Sequence, residues 1–369
     1  MPKRGTLNVA MIGYGFMGRA HSNAFRQVNS FFDTSFDLRL KVICGRNEDN
    51  LRRMAAEWGW QETVRHWESV VAQPDIDVVD ICTPNYLHAP IAIAAAEAGK
   101  IILCEKPLAN TVEEAERMAE AARGRGTLVW FNYRRVPAVR FAHELVEQGR
   151  LGQVFHYRGL YLQSWGRSPG DPTAWRFQPD QAGSGVMGDL LSHSLDLALW
   201  LNGSIRRLCS NVWVFAEGRQ VDDGVSVLAE FANGSMGTFE ATRFAMGNQN
   251  RNTFEINGSR GALEFNLEKM NHLQFNDLGE DASVQGRREI LVTGPGHPYV
   301  DHFWPPGHVI GYEHTFIATL ADFLHALRHG ERFRPDFTDA LEVQRVLEAV
   351  FQSDRCGNWV ETPQLEIVS

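Results

Sequence analysis

Residues 7–18 of this 369-residue chain, LNVAMIGYGFMG, decide its fold. The apolar run up to Gly13 predicts a buried strand, and a helix is predicted from about Met17. The three glycines have the spacing G-x-G-x-x-G, which alone is a weak signal but between a strand and a helix predicts a dinucleotide site. Gly13 permits the tight turn, Gly15 lets the backbone approach a pyrophosphate, and Gly18 lets helix and strand pack closely. The helix N-terminus supplies the anion site.

The segments that follow continue the same alternation of strand and helix. Strands are predicted at LRLKVICG, DVVDICTP, KIILCEKP and TLVWFNY, and helices rich in Ala or Glu follow the middle two. Repeated βα units imply a parallel sheet with right-handed crossovers. We therefore predict a Rossmann dinucleotide-binding domain over residues 1–131.

The pattern changes after a helix predicted at about residues 138–148. Segments such as QVFHYRGLYLQSW and TFEINGSRGALEFN alternate apolar and polar residues, and Asn233-Gly234 between two such runs predicts a β-hairpin. A last helix is predicted over residues 339–354, before a terminal strand. The predicted fold class is α/β, with the Rossmann domain followed by an α+β domain over residues 132–369 that has a largely antiparallel sheet.

Composition and charge exclude several classes of partner. With 44% hydrophobic and 22% charged residues, the chain is typical of a folded protein. Its net charge of -9 argues against nucleic acid or an anionic membrane, since both require a basic surface. No segment approaches the roughly 20 apolar residues of a membrane helix. The 5 cysteines, odd in number and widely spaced, favour reduced thiols and a cytoplasmic location.

The end of the second predicted strand, ICGRNEDN, bears on the choice of dinucleotide. An acidic residue normally binds the ribose 2′-hydroxyl of NAD at this place, but Gly45 and Arg46 occupy it. An arginine there accommodates the 2′-phosphate of NADP or stacks on adenine. Alternatively, Arg46 points into solvent and Glu48 or Asp49 contacts the ribose. The sequence leaves NAD and NADP both open.

A lysine stands at the end of a later strand, in ILCEKPLANTVEEAERM, residues 102–118. Thr111 and Glu114 form a capping box that begins a helix, so the segment before them is a strand-to-helix loop. Pro107 disfavours helical geometry at the preceding residue, which leaves Lys106 at the carboxyl end of a strand, where open α/β sheets bind ligands. The alternative is an ordinary solvated lysine.

The helix GDLLSHSLDLALWLNG, residues 188–203, combines polar side chains with many leucines. Asp189, His193, Asp196 and Trp200 fall within an arc of about 60° on a helical wheel. This pattern predicts a helix buried around most of its girth, with a narrow polar stripe facing a cleft. Asp189 and His193 are one turn apart, so the carboxylate can orient the imidazole and raise its basicity. The alternative is a satisfied hydrogen-bonded pair in the core.

Four histidines lie in the Pro- and Gly-rich stretch at residues 294–314, namely His297, His302, His308 and His314. Their spacing matches no zinc pattern, so no metal site is predicted. A loop of this length is more typical of a lid or a subunit contact.

With these motifs the chain resembles the Gfo/Idh/MocA oxidoreductase family over essentially its whole length. The resemblance is carried by GYGFMG, TPNYLHAPIAIAAAEAGKIILCEKPLA, GSGVMGDLLSHSLDL and RVLEAVFQSDRCGNWVE. The segments FNYRRVPA, YLQSW, WRFQPDQAGSGVMGD and TGPGHPY are most similar to members that oxidise sugars and anhydrosugars. Such members use NAD or NADP and often form homodimers or homotetramers through the antiparallel sheet.

The resemblance implies roles for individual residues. Lys106, Asp189 and His193 would be the catalytic residues, with Lys106 hydrogen-bonded to the reacting hydroxyl. The cofactor contacts it implies are Gly13, Tyr14, Gly15, Phe16, Met17, Gly18, Gly45, Arg46, Thr83, Pro84, Asn85, His88 and Glu105. The candidate substrate contacts mix aromatic faces with polar tips, which suits a sugar or polyol but could equally be core packing. They are Tyr133, Tyr161, Gln163, Trp165, Trp175 and Arg176.

The expected function is therefore an NAD(P)-dependent dehydrogenase that oxidises a secondary hydroxyl of a sugar, anhydrosugar or polyol to a ketone, or runs in reverse. His193 would act as general base and the Lys106 ammonium would stabilise the developing alkoxide. Two alternatives stay open. One is a glycosidase of the same fold that retains NAD and uses it for transient oxidation, and the other is a sugar sensor that binds dinucleotide without turnover.

Overall fold

The computed structural model of the protein describes residues 5–167 and 174–362. The chain divides into two compact units, of which the first comprises Met1–Asn132 and Gly311–Leu341, and the second Tyr133–Ile310 and Glu342–Ser369. Within the described residues, none of the helices combines the length and the apolar character needed to cross a bilayer.

Strands and helices occur throughout both units. The strands are β1 (Gly5–Ile12), β2 (Phe36–Cys44), β3 (Glu62–Val64), β4 (Val78–Ile81), β5 (Ile101–Cys104), β6 (Thr127–Val129), β7 (Val154–Leu162), β8 (Ile205–Trp213), β9 (Gly224–Phe231), β10 (Met236–Thr242), β11 (Arg251–Gly258), β12 (Gly261–Asn266), β13 (His272–Asp277), β14 (Arg288–Leu291) and β15 (Val360–Glu361). The α-helices are α1 (Phe16–Phe31), α2 (Glu48–Trp58), α3 (Trp67–Val71), α4 (His88–Glu97), α5 (Val112–Ala121), α6 (Pro137–Glu147), α7 (Pro179–Ala182), α8 (Ser192–Asn202), α9 (Val300–Phe303), α10 (Tyr312–His329) and α11 (Phe337–Cys356).

The division into units differs from the predicted domains at one segment. Gly311–Leu341, which the sequence analysis placed in the second domain, belongs to the first unit. The reason is that α10 packs on α1. Its Phe316 is completely buried, with its ring centroid 5.7 Å from that of Trp130.

The first unit is built on a parallel sheet of six strands in the order β3-β2-β1-β4-β5-β6. This confirms the predicted Rossmann domain, and β4 is buried at all four positions, as expected when helices cover both faces. The register places Ile12 opposite Ile81, and Ile81 opposite Cys104. The glycine motif, residues 82–88 and Lys106 therefore leave their strands at one edge of the sheet, beside the point where the strand order reverses and ligands bind.

The second unit contains a sheet of nine strands in the order β14-β13-β12-β11-β7-β10-β9-β8-β15. Among its described pairs, β7 with β10 is parallel and the others are antiparallel, which confirms the largely antiparallel sheet. Asn233-Gly234 forms the predicted hairpin between β9 and β10, with a φ of +86° at Gly234. Tyr157 at the centre of β7 is completely buried and packs against Phe231, Phe239 and Phe254.

The helix predicted at residues 188–203 begins as a π-helix, Met187–Leu191, and continues as α8. The Asp222 carboxylate accepts the backbone N–H groups of Gly185 and Met187 at 2.6 and 2.7 Å and so caps its start. Nine of the eleven residues of α8 are buried, which confirms the predicted burial around most of the girth. π-Helical turns occur mostly as single turns within α-helices, often at functional sites.

Helix α10 was missed by the sequence analysis, which ended its loop at residue 314. His314 lies in the first turn of α10, where its Nδ1 accepts the backbone N–H of Gly311 at 3.1 Å. Because the N-cap is Gly311 and a histidine makes the contact that Glu or Gln usually makes from the third helical position, the sequence carries no standard start signal there. The histidine-containing loop ends at residue 311 and includes the short helix α9.

Candidate active site

The glycine motif forms an open cradle at the N-terminus of α1. Gly13 has a φ of +108°, and a Cβ there would lie 2.3 Å from the Cys82 carbonyl oxygen. A Cβ at Gly18 would lie 2.8 Å from the Gly13 carbonyl oxygen, as the predicted close packing requires. No heavy atom lies within 4 Å of the Cβ position of Gly15, and no side chain caps the first turn of α1. This open space with helical N–H groups fits a phosphate group.

Alanine substitutions at two of these glycines are expected to have separate effects. Gly18→Ala should lower the free energy of unfolding by about 1–3 kcal/mol, because the new Cβ collides with backbone. Gly15→Ala should change it by less than about 0.5 kcal/mol, because its Cβ enters open space at a φ of -68°, but should weaken dinucleotide binding at least tenfold. Urea unfolding and NADH fluorescence titration measure the two effects. A Gly15→Ala protein with wild-type affinity for NADH would contradict the phosphate cradle.

Tyr14 and Gly45 fit together at the end of β2. A Cβ at Gly45 would lie 2.0 Å from Cε1 of Tyr14, and the Tyr14 hydroxyl accepts the backbone N–H of Asn47 at 3.3 Å. The ring therefore occupies the space where an acidic side chain would extend from position 45. Arg46 is exposed, and Glu48 pairs with Arg52 on the surface of α2.

The motif also contains Phe16 and Met17, in the first turn of α1. Phe16 is exposed and stacks on Tyr312 of α10 with their ring centroids 6.2 Å apart. Met17 is half-buried. Both lie beside the open N-terminus of the helix.

The second predicted cofactor segment, residues 83–88, follows β4. The Thr83 hydroxyl is buried and has no hydrogen-bond partner among the described residues, which fits a site completed by a ligand. Pro84 precedes a short 3₁₀ turn that contains the buried Asn85. His88 is completely buried, with its Nδ1 and Nε2 each 3.0 Å from the carbonyl oxygens of Pro107 and Thr83. Burial lowers the pKa of His88, and both ring nitrogens face the protein's own backbone.

A buried charged cluster, defined by His21, Asp80 and Glu105, lies beneath this edge of the sheet. Nδ1 of His21 is 2.9 Å from Oδ2 of Asp80, and its Nε2 is 3.0 Å from Oε1 of Glu105. The ring stacks on Trp130 with centroids 4.1 Å apart, and the Trp130 indole donates to the other Asp80 oxygen at 2.9 Å. Burial alone would lower the pKa of His21, but the two carboxylates outweigh it and raise it to about 9.

Folding stability is expected to fall as the pH rises from about 6.5 to about 9. The pKa of His21 is 6.5 in the unfolded chain and about 9 in the folded protein, so its contribution is present below pH 6.5 and is lost through pH 9. This difference is on the order of 3 kcal/mol. Urea unfolding at pH 6 and pH 9.5 measures it for the wild type and for His21→Gln. An equal loss in both proteins would contradict the assignment to His21.

His21, Asp80 and Cys82 are also close enough together to hold a metal ion. Sγ of Cys82 lies 3.0 Å from Nδ1 of His21 and 3.4 Å from Oδ2 of Asp80, which are hydrogen-bond distances. Burial raises the pKa of the Cys82 thiol, whereas a metal would require the thiolate. Hydrogen bonds, without a metal ion, therefore explain why these three side chains lie together. Over the described ranges the four loop histidines form no such cluster, and His297 instead packs edge-on against Phe141 at 5.0 Å.

Lys106 leaves β5 between two residues that are held by buried histidines. One carboxylate oxygen of Glu105 is hydrogen-bonded to Nε2 of His21, and the other accepts the backbone N–H of Lys106 at 3.2 Å. Pro107, on the other side, has its carbonyl oxygen in contact with His88. Thr111 caps α5 by accepting the N–H of Glu114 at 3.2 Å, as the capping box predicted.

In the second unit, Asp189 pairs with a residue that the sequence analysis missed. Nη2 of Arg243 donates to Oδ2 of Asp189 at 2.8 Å, although the Arg243 side chain is only 1% exposed. The guanidinium also lies 4.6 Å from the ring centroid of Trp165. Arg243 follows β10 directly, and in the sequence it is indistinguishable from an exposed charge at a strand end.

His193 lies against the predicted substrate residues of β7 and its surroundings. Its ring centroid is 4.6 Å from that of Tyr133 and 6.0 Å from that of Tyr161. The hydroxyls of these tyrosines are 3.1 Å apart. Both the Tyr161 hydroxyl and the Gln163 amide donate to Oδ1 of Asn250 at 2.8 Å. Asn250, which sequence reasoning missed, thus joins Gln163 to the two tyrosine hydroxyls in one hydrogen-bonded chain.

The hydrogen-bonded chain continues from Gln163 to Trp165, which is exposed. The Trp165 indole donates to Oε1 of Gln163 at 2.5 Å, and its ring lies 6.1 Å from that of Phe177. Trp175 and Arg176 pair with each other at 4.5 Å. The structure therefore joins Tyr133, Tyr161, Gln163 and Trp165 in one hydrogen-bonded chain through Asn250. Trp175 and Arg176 are not part of this chain, but their neighbour Phe177 packs against Trp165.

The other two residues of the predicted polar stripe, Asp196 and Trp200, contact neighbouring side chains of the protein. Asp196 forms a buried, bidentate ion pair with Arg134 at 2.9 and 2.6 Å, and Trp200 stacks on His143 with centroids 4.0 Å apart. The prediction that the whole stripe faces a cleft is thus wrong for Asp196 and Trp200, because protein side chains cover both of them.

Comparison with known proteins identifies both halves of the chain. The model for the oxidoreductase family with an NAD-binding Rossmann fold matches residues 7–133, and the GFO/IDH/MocA C-terminal domain matches residues 139–264. Levoglucosan dehydrogenase of Pseudarthrobacter phenanthrenivorans is 40% identical over 97% of this chain and 99% of its own length. Inositol 2-dehydrogenase of Rhizobium meliloti is 24% identical over 94% of this chain and 97% of its own.

Solved structures agree with these matches. Levoglucosan dehydrogenase in complex with NADH and L-sorbose has a TM-score of 0.95 and 41% identity, covering 98% of this chain and 100% of its own. An oxidoreductase domain protein from Kribbella flavida has the same TM-score and coverage at 45% identity. The predicted resemblance, fold class and nicotinamide cofactor are thereby confirmed, and this chain belongs to the Gfo/Idh/MocA family of NAD(P)-dependent oxidoreductases.

Proposed function

We propose that this protein oxidises a secondary hydroxyl of a sugar, anhydrosugar or polyol to a ketone, or catalyses the reverse reduction. The observation that carries the proposal is the hydrogen-bonded network in the second unit, where the buried His193 lies against a chain of tyrosine hydroxyl, amide and indole groups that ends at the exposed Trp165. Groups of this kind supply the donors, acceptors and aromatic faces that recognise a polyhydroxylated ring. The relatives named for levoglucosan and inositol support the same substrate class.

In the proposed reaction the alcohol loses a proton from oxygen and a hydride from carbon, and a C=O bond forms. His193 takes the proton as general base, with Asp189 orienting its ring. Arg243 donates a hydrogen bond to Asp189 and so fixes the position of its carboxyl group. Lys106 donates a hydrogen bond to the substrate oxygen and stabilises the negative charge that develops there. When bound, the dinucleotide supplies the nicotinamide that accepts the hydride.

We assign dinucleotide binding to three segments of the first unit. The open N-terminus of α1 binds the pyrophosphate, the Tyr14–Gly45 contact with Arg46 beside it borders the adenosine ribose, and the orphaned Thr83 hydroxyl belongs to the segment after β4. We propose NAD as the cofactor, in keeping with the NADH in the solved relative. The exposed Arg46 leaves room for the 2′-phosphate of NADP, so both dinucleotides belong in the assay.

Absorbance at 340 nm tests the proposal. Purified protein is offered NAD and NADP separately, with a panel that includes levoglucosan, glucose, inositols and xylose. We expect reduction of NAD with at least one compound. Dinucleotide binding with no reduction across the panel would favour a sensor, and release of free sugar from a glycoside without net NADH would favour the glycosidase.

We further propose that the protein is a cytoplasmic homo-oligomer. All five cysteines are free thiols, which suits a reducing compartment. One face of the second unit's sheet exposes Trp213, Leu228 and Met236 on three neighbouring strands, with exposed fractions of 43%, 51% and 51%. The strand register puts all three on the same side, and a second copy of the chain would cover such a patch.

The oligomer proposal gives a direct expectation for Leu228→Arg. A charge at the centre of the patch should turn a dimer or tetramer into a monomer, because an unpaired buried charge is costly. Light scattering coupled to gel filtration measures the mass of both proteins, with Ser69→Arg at an exposed position of α3 in the first unit as the control. A wild-type protein that elutes as a monomer of 41.6 kDa would contradict the proposal.

A further inference from the structure

We propose that His21 and His88 together fix the backbone on both sides of Lys106 and thereby set the position of its ammonium group. We call these two residues the histidine brace. They are positioning residues, and the inference rests on the proposed function only in taking Lys106 as catalytic. Both are completely buried, and the nitrogens of both rings contact groups of the protein itself.

The His21 side of the brace acts through Glu105. Nε2 of His21 holds Oε1 of Glu105 at 3.0 Å, and Oε2 of the same carboxylate accepts the Lys106 N–H at 3.2 Å. Asp80 holds the other nitrogen of His21 at 2.9 Å. The imidazole can therefore release Glu105 only by breaking a second charged hydrogen bond. Because His21 lies on α1, the loop of Lys106 is tied directly to the helix that begins at the glycine cradle.

The His88 side of the brace acts through the next peptide. Its ring nitrogens are 3.0 Å from the carbonyl oxygens of Pro107 and Thr83. With a proton on Nδ1, the ring donates a hydrogen bond to the Pro107 carbonyl oxygen, which is the contact that this side of the brace uses. Thr83 follows β4 and Pro107 follows β5, so His88 spans the two segments that leave adjacent strands.

Two contacts thus bracket a single residue, one at its own backbone N–H and one at the carbonyl of the residue after it. A flexible lysine side chain reaches a substrate oxygen reproducibly only if its Cα is fixed. A displacement of about 1 Å can cost on the order of 10²-fold in rate. The brace should therefore affect the chemical step more than the binding of either ligand.

The experiment compares His21→Gln and His88→Gln with Lys100→Met. Lys100 is buried immediately before β5, at the opposite edge of the sheet, where its Nζ donates to the carbonyl oxygens of Gln73 and Ile76 at 2.7 and 2.8 Å. Its substitution removes buried hydrogen bonds from the same strand without touching the loop of Lys106. Lys100→Met therefore shows how a loss of stability alone affects kcat and amide exchange.

We expect kcat to fall at least about tenfold in each histidine variant, with KM and the NADH dissociation constant within about threefold of wild type. Lys100→Met should be less stable but keep wild-type kcat at a temperature where it is folded. Glu105→Gln takes the place of His21→Gln if the latter does not fold, since it weakens the same bond and keeps the shape. Unchanged kcat in the histidine variants, or an equal fall in Lys100→Met, would overturn the inference.

Hydrogen exchange separates a failure of the brace from a failure of the proposed function. Mass spectrometry of a peptide that contains Lys106 should show faster amide exchange in both histidine variants and unchanged exchange in Lys100→Met. This readout requires no turnover. Unchanged exchange in the histidine variants refutes the brace even in an inactive protein. A protein that binds dinucleotide, reduces none across the panel and still shows faster exchange in the histidine variants refutes the proposed function and leaves the backbone contacts of the brace standing.

Discussion

Lys106→Met is expected to lower kcat by about 10²- to 10³-fold while the affinity for NADH stays close to wild type. Removing one preorganised donor from a developing oxyanion has effects of this size. Methionine keeps the length and apolar part of the side chain and deletes only the ammonium group. Stopped-flow absorbance at 340 nm gives the rate of the first turnover, and fluorescence titration gives the dissociation constant.

A lysine outside the proposed site provides the control. Lys269 is exposed in the short 3₁₀ turn after β12, so Lys269→Met should retain the wild-type kcat. Lys106→Arg adds a second comparison, because the guanidinium keeps the charge but changes the shape and the donor geometry. A Lys106→Met enzyme that turns over within about twofold of wild type would remove Lys106 from the mechanism.

His193→Asn is expected to lower kcat/KM by about 10²- to 10⁴-fold, the usual contribution of a positioned general base. The wild-type rate should fall at acid pH as the imidazole is protonated, and this limb should vanish in the variant. A pH profile of kcat/KM measures both effects. Persistence of the same acid limb in His193→Asn would assign it to another group.

The helix itself offers a matched control for Asp189, the proposed partner of His193. Asp189→Asn should lower kcat, because it removes the carboxylate that we propose orients the base and leaves Arg243 without its counter-ion. Asp196→Asn, two turns further along, breaks the buried pair with Arg134 and should cost several kcal/mol of stability, in the range of about 3–5. It should keep kcat in the folded protein. If Asp196→Asn reduced kcat as strongly as Asp189→Asn, stability alone would explain both.

Local sequence signals predicted the parts of the fold that depend on neighbouring residues. The strand, the glycine spacing and the helix after them are all within residues 5–31, and their geometry follows from the lack of side chains at Gly13 and Gly18. The hairpin at Asn233-Gly234 was predictable for the same reason. Lys106 was placed at a strand end by Pro107 and the Thr111 cap, both within five residues of it.

The features that were missed depend on contacts between distant residues. His21 has partners 59 and 84 residues away, and alone it resembles any polar residue of a helix. Arg243 pairs with Asp189 across 54 residues. The π-helix at Met187–Leu191 was also missed, since one widened turn leaves the leucine pattern of the helix almost unchanged. Tyr14 explains the absence of an acid at Gly45 only once its ring is seen to fill that space.

Deuterium transfer tests the central claim most directly. The protein is incubated with NAD and, in turn, with each compound of the panel in fully C-deuterated form, and mass spectrometry follows the dinucleotide and the sugar. For at least one compound the account predicts NADH that carries one deuterium and a ketone about three mass units lighter than the deuterated substrate, because one deuterium leaves carbon and one hydrogen leaves oxygen. If every deuterated sugar of the panel were returned unchanged while NAD stayed bound and unreduced, the protein would not be a dehydrogenase.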